Sequence, residues 1–177
     1  MKKHFLLILI IVIVLIIACL TFFWISDSKE VPFVKDDFQN SRTSIKFTGK
    51  VVVLGTYYVD TEDYIFGDSL LFDVNDISKE KIPRSAVDAR QLWFYFSNQD
   101  EAKKKFNVDT SLLKDGICSM SGKAEIVIRD YREYIGESEG SDGTKLEKVI
   151  SFDKPTLKKC DPPQYIDPAR LHELMYR

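Results

Sequence analysis

GICSMSGKAEIVIRDYREYI, residues 116–135, alternates side-chain character over most of its length: Cys118, Met120, Gly122, Ala124, Ile126 and Ile128 share one parity, while Ser119, Ser121, Lys123 and Glu125 take the other. A period of two puts successive side chains on opposite faces of an extended chain, so the stretch reads as one long, half-buried strand. Four further segments repeat the pattern. In SIKFTGKVVVLGTYYV, residues 44–59, Ile45, Phe47, Gly49, Val51 and Val53 oppose Lys46, Thr48 and Lys50, giving a strand over 44–54 or beyond. DSLLFDV (68–74) alternates Leu70, Phe72 and Val74 after the turn signal Gly67-Asp68, and LWFYF (92–96) is short, aromatic and bounded by polar residues. TKLEKVISFD (144–153) ends before Pro155; Leu146, Lys148, Ile150 and Phe152 share a parity that excludes Val149.

Between the third and fourth strands the period changes. Ser97-Asn98-Gln99-Asp100-Glu101 supplies N-cap residues with an acid following, DEAKKKF continues with helix formers, and SLLKDG ends at Gly116, suited to a left-handed C-cap. Asp167-Pro168 opens a short C-terminal helix, ARLHELMY, as N-cap and first helical residue.

Upstream, residues 5–25 (FLLILIIVIVLIIACLTFFWI) contain no charge, Pro or Gly. A helix of that length is about 31 Å long, matching the roughly 30 Å hydrocarbon thickness of a bilayer. No small-residue cleavage triplet comes after it, so an uncleaved transmembrane anchor is expected. Leu15-Ile16-Ile17-Ala18-Cys19 also matches a bacterial lipoprotein box, with lipidation at Cys19 as the alternative. Lys2 and Lys3 before the span, against the acidic region from Asp27 to Asp37, orient the N-terminus inward. The expected address is the bacterial cytoplasmic (inner) membrane, single-pass, with a periplasmic C-terminal domain. The organisation read is 1–25 anchor (or lipoprotein signal to Cys19), 26–43 juxtamembrane linker, 44–160 β domain, and 161–177 tail.

With Cys19 in the bilayer, Cys118 and Cys160 remain as an even pair in an oxidising compartment, which reads as a disulfide. Closing a loop of about 43 residues stabilises the fold by roughly 4 kcal/mol in the chain-entropy model.

The order strand, strand, strand, helix, strand, strand, the echoes FTGKV (47–51) and MSGKA (120–124), and the run-in LLKDGICSMSGKA to the fourth strand together resemble the OB-fold, a five-stranded Greek-key barrel. A glycine inside a strand suits a barrel corner. The resemblance covers residues 44–155; another small barrel or a sandwich fits the same strand pattern. It implies binding through the second and third strands with the one-two and four-five loops. On this chain those positions are Trp93 and Tyr95, pointing away from the core shared by Leu92, Phe94 and Phe96, with Tyr57, Tyr58 and Tyr64 in the first loop and Tyr131 and Tyr134 at the last. Trp93 as a cap on one end of the core is the competing expectation.

Composition narrows the chemistry. Setting aside Lys2 and Lys3 leaves 23 basic against 27 acidic residues, about −4 beyond residue 25, which argues against a nucleic-acid surface. The two histidines, His4 and His172, assemble neither a hydrolase triad nor a zinc site, and no Gly-rich phosphate loop is present. Glu133, Glu137, Glu139 and Asp142 lack calcium-loop spacing and read as a solvated hairpin, so no metal or cofactor is expected. The function expected is therefore a non-enzymatic binding or adaptor domain, held to the bilayer by residues 5–25 and acting on a protein partner in envelope assembly, secretion or toxin immunity. Recognition of a glycan or cell-wall fragment by the same aromatic face is the alternative.

Overall fold

The computed structural model describes residues 12–15, 30–37, 41–63, 65–85, 90–109, 111, 113, 116–136 and 141–160. Among these residues, after the helical Val12–Leu15, seven strands and two short helices run in the order β1 (Val31–Lys35), β2 (Ser44–Asp60), β3 (Leu71–Val74), α1 (Asp76–Lys79), β4 (Trp93–Phe96), α2 (Gln99–Lys105), β5 (Ile117–Tyr134), β6 (Asp142–Phe152) and β7 (Thr156–Lys159). They form one sheet in the order β1-β2-β3-β4-β6-β5-β7, and β2 also pairs with β5. Strands β2, β3, β4, β6 and β5 thus close into a ring, with β1 and β7 added on β2 and β5. Every pairing is antiparallel except β4 with β6.

The two long strands run opposite one another from Ser44↔Tyr134 to Asp60↔Ser119. Their shared parity fills the interior with Phe47, Val51, Val53 and Val59 from β2 and Met120, Ile126 and Ile128 from β5. Phe72, Phe94 and Phe96 join them from the short strands, and each buried ring of this size contributes about 1.5–3 kcal/mol. Helix α2 closes the core with Ala102 and the adjoining Phe106, whose ring lies 4.6 Å from Tyr57 and 5.7 Å from Phe152. Asn98 stands at the expected N-cap without a side-chain cap bond. Its amide instead bridges Leu146 N and O of β6, both at 2.9 Å, and so docks the helix onto the sheet. Gly116 takes the left-handed backbone expected of it, at φ 77°.

Both echo glycines permit close approach. Gly49, at φ 151°, lies beside the register shift between Lys46 and Lys50, and a Cβ there would stand 2.8 Å from β1 backbone atoms. Gly122 faces Tyr57 in register, and a Cβ would stand 2.7 Å from its hydroxyl and 2.8 Å from its ring.

Four features depart from the sequence reading. The segment read as a linker holds β1, which pairs with β2; just before it, Glu30 Oε1 accepts from Val52 N (2.9 Å) and Lys81 Nζ (2.7 Å). A seventh strand, β7, pairs with β5 just after Pro155. In β6, register shifts leave Ile150 and Glu147 as extra residues, so Val149 packs against the core while Ile150 and Phe152 are exposed. Each bulge inverts the parity of the residues beyond it, which alternation alone does not reveal. Lastly, β2 runs on to Asp60, which carries Tyr57 and Tyr58 into the strand.

Cys118 and Cys160 form a disulfide with Cα atoms 4.7 Å apart. Together with Cys160 N donating to Gly116 O at 2.9 Å, it fastens the end of β7 to the start of β5. Among the described residues no helix is long and apolar enough to cross a membrane. Of the expected span 5–25 only Val12–Leu15 are described, and they are helical. Cys19, Tyr64, Glu137, Glu139 and the expected C-terminal helix lie outside the described residues.

Candidate functional site

Strand parity turns Phe72, Phe94 and Phe96 inward and therefore Asp73, Trp93 and Tyr95 outward. The registers Thr56↔Asp73 and Asp73↔Trp93 place Thr56, Asp73 and Trp93 in one row across β2, β3 and β4. Facing pairs on adjacent strands have Cβ atoms about 5 Å apart, close enough to share a ligand. Tyr58 and Ser121, paired across β2 and β5, flank the row. With Gln91 these residues line an open cleft of about 440 Å³. Leu71 is buried although it shares the outward parity, and it faces Tyr58 and Tyr95 in register.

Polar groups in the cleft are unevenly matched. Asp73 Oδ2 accepts from Gln91 Nε2 at 2.8 Å, whereas Oδ1 is buried and accepts no hydrogen bond among the described residues. Burial pushes the Tyr58 phenol up to about 12, helped by the nearby carboxylates of Asp73, Asp63 and Asp60. Trp93 is held by Phe66, whose ring stands nearly perpendicular to it at 84° and 5.2 Å. The loop carrying Phe66 is set in turn by Asp63 Oδ1, which accepts from Ile65 N (2.9 Å) and Phe66 N (3.1 Å). An indole, a phenol, two hydroxyls and a half-satisfied carboxylate can hold a cationic or hydroxyl-rich group.

A second polar cluster is closed. Asp142 is 3% exposed; its Oδ2 accepts from Tyr131 OH at 2.6 Å and its Oδ1 from Tyr134 N at 2.8 Å. Arg84 and Arg90 reach it at 3.4 and 3.7 Å, and Arg84 donates to Arg90 O at 2.8 Å. The neighbouring Glu133 is fully buried and accepts from Ser85 N at 2.6 Å through Oε1, while its Oε2 is enclosed without a donor among the described residues. Burial and the Asp142 charge hold Tyr131 far above the usual phenol range. The cluster clamps the segment after α1 onto β5 and β6. Glu133 and Asp142 therefore correct the reading of a solvated acidic hairpin: two arginines distant in sequence supply the countercharge that permits burial.

Of the seven aromatic residues expected at a binding face, Tyr58 and Trp93 share the cleft, and Tyr95 sits half-buried on the same face opposite Gly143. Tyr57 and Tyr131 are corrections, because both are fully buried. The extra length of β2 gives Tyr57 inward parity, and its hydroxyl donates to Asp153 O at 2.7 Å. Tyr131 lies between Phe33 and Phe47, 5.9 Å from each, with its hydroxyl spent on Asp142. Tyr134 is half-buried beside Asp142.

Thr56, Asp73, Gln91 and Ser121 escaped the sequence reading. The signal for Asp73 was present, since alternation of Leu70, Phe72 and Val74 leaves it facing out. Thr56 and Ser121 needed the β2–β5 register. Glu62 comes within 4.8 Å of both sulphurs, but a disulfide leaves no thiolate to bind a metal. Comparison of the chain with protein-family models, with curated proteins and with solved structures finds no match to any of them.

Proposed function

We propose that this chain is a membrane-anchored, extracytoplasmic binding domain of the OB type that recognises a protein partner through the cleft at Tyr58, Asp73 and Trp93. The ring order β2-β3-β4-β6-β5, its single parallel pair β4–β6 and a helix between β4 and β5 support the OB reading. Residues 5–25 support an anchor in the bacterial cytoplasmic membrane, with lipidation at Cys19 as the alternative, and the Cys118–Cys160 bridge accords with an oxidising compartment. Binding rather than catalysis is proposed, because among the described residues no hydroxyl of the cleft is hydrogen-bonded to Asp73, the carboxylate that would have to activate it.

The observation that carries the reading is the outward row Thr56-Asp73-Trp93, with a tryptophan braced by Phe66 and a buried carboxylate oxygen left without a donor among the described residues. Aromatic residues with a polar tip are enriched at protein interfaces. A photocrosslinking amino acid placed at exposed Gln91, in native membranes, is expected to yield discrete protein adducts. The same probe at Lys159 on β7 serves as control. Absence of adducts at Gln91, or an identical set at both positions, would count against the proposal. Recognition of a glycan by the same cleft is favoured by the Thr56 and Ser121 hydroxyls beside Trp93; quenching of Trp93 emission by cell-wall saccharides tests it.

A further inference from the structure

Resting on that reading, we infer that the cleft receives a basic side chain of the partner, a guanidinium by preference, stacked on Trp93 and hydrogen-bonded to the Asp73 carboxylate, whose enclosed Oδ1 turns into the cleft as the cation enters. Buried acceptors are almost always matched in folded proteins; Asp73 Oδ1 and Glu133 Oε2 are the carboxylate oxygens enclosed without a donor among the described residues, and of these two residues it is Asp73 that lines the cleft, where a turn of its carboxylate offers Oδ1 to a donor from outside. The donor wanted is cationic. Asp60, Asp63 and Asp73 all act on the same phenol, no basic residue lines the cleft among the described residues, and the chain beyond residue 25 carries about −4 by the count of 23 basic against 27 acidic residues. The nearest cation in the row, Lys123, pairs with Thr56, lies two strands from Asp73, is exposed, and lines a separate depression with Asp153.

Geometry then chooses among cations. Asp73 and Trp93 face each other across β3 and β4, so a planar guanidinium lying on the indole has an N–H edge to present to Oδ1. A compact ammonium is a point charge and is less able to satisfy ring and carboxylate together. A neutral sugar could donate a hydroxyl to Asp73 but would gain no Coulombic attraction from the three carboxylates.

The test uses the full chain in lipid nanodiscs with Trp24→Phe, which leaves Trp93 as the one reporter of the chain's two tryptophans. The probes are the blocked tripeptide Gly-Arg-Gly, its lysine counterpart, its citrulline counterpart as a neutral isostere, and a chitin oligosaccharide. The arginine peptide is expected to shift Trp93 emission with at least about tenfold higher affinity than the citrulline peptide, and to lose about tenfold in Asp73→Asn. Added salt is expected to weaken it, and Lys123→Gln to strengthen it. An unchanged thermal midpoint in Asp73→Asn separates lost binding from lost folding.

Equal binding of arginine and citrulline peptides, full affinity in Asp73→Asn, a response to the oligosaccharide alone, or no response to any peptide would each overturn the inference. The two proposals fail separately. Adducts at Gln91 that persist in Asp73→Asn, with no arginine response, defeat the cation and leave the partner standing; absence of adducts defeats the partner whatever the peptides do.

Discussion

Asp142 and Asp73 both stand beside a tyrosine on the same sheet, yet one is closed and the other open. Asp142 accepts from Tyr131 and the Tyr134 amide and faces Arg84 and Arg90, so its charge is spent inside the protein. Asp73 has Gln91 on one oxygen and nothing among the described residues on the other, and its neighbours add negative charge rather than cancel it. The same pair of residue types serves cohesion in one place and presents an unused acceptor in the other. What differs is the supply of donors: the segment after α1 brings two arginines to Asp142, whereas the strands around Asp73 bring hydroxyls, a glutamine and an indole.

That contrast can be broken most forcefully at Asp142. Asp142→Ala strands two arginines, a phenol and an amide, and is expected to cost about 3–5 kcal/mol in chemical denaturation. A loss below about 1 kcal/mol would mean that the cluster is not a clamp. Reduction of the Cys118–Cys160 bridge comes next, at about 2–4 kcal/mol. Because the bridge pins β7 to β5, two strands from the β4 that carries Trp93, reduction is expected to lower the denaturation midpoint while Trp93 emission in the remaining folded protein stays unchanged. Tyr131→Phe removes one donor from Asp142 and is expected to cost about 1–3 kcal/mol in the same assay.

Asp73→Asn is the counterpart on the open side, and its stability is expected to stay within about 0.5 kcal/mol of the parent. The smallest effect is a matter of pH. An unfolded tyrosine titrates near 10, and Tyr58 in the fold is pushed up to about 12. The unfolded chain therefore loses the proton first: the contribution of Tyr58 is intact below pH 10 and falls away as pH rises from 10 through 12. Near-ultraviolet absorbance should show Tyr58 ionising late in the parent and earlier in Asp73→Asn, while Tyr131 ionises only as the protein unfolds.

The ring was legible because its inner positions alternate cleanly: Phe47, Val51 and Val53 in β2, Phe72 in β3, Phe94 and Phe96 in β4, and Met120, Ile126 and Ile128 in β5 all lie where parity puts them. The disulfide was legible from the even pair of cysteines, Cys118 and Cys160, left beyond the apolar run. What escaped depended on non-local facts. Val31–Lys35 is too short to announce a strand and carries Pro32, and it exists because β2 offers a free edge. The bulges of β6 answer to β5 rather than to their own residues. Half of the cleft was visible, since Trp93 is outward by parity, but ending β2 early hid which of Tyr57 and Tyr58 faces out.

The clasp of Glu30 and β1 onto β2 and Lys81 fixes how far the domain can stray. On the proposed anchor, the greasy stretch stops at residue 25 and Val31 is already locked into the sheet, so five residues make up the whole leash. Fully stretched they reach about 17 Å, less than the length of a six-residue strand. The domain would then ride within headgroup distance of the lipid, able to swivel but not to search. A partner would have to arrive at the membrane surface, or be embedded in it, to be caught.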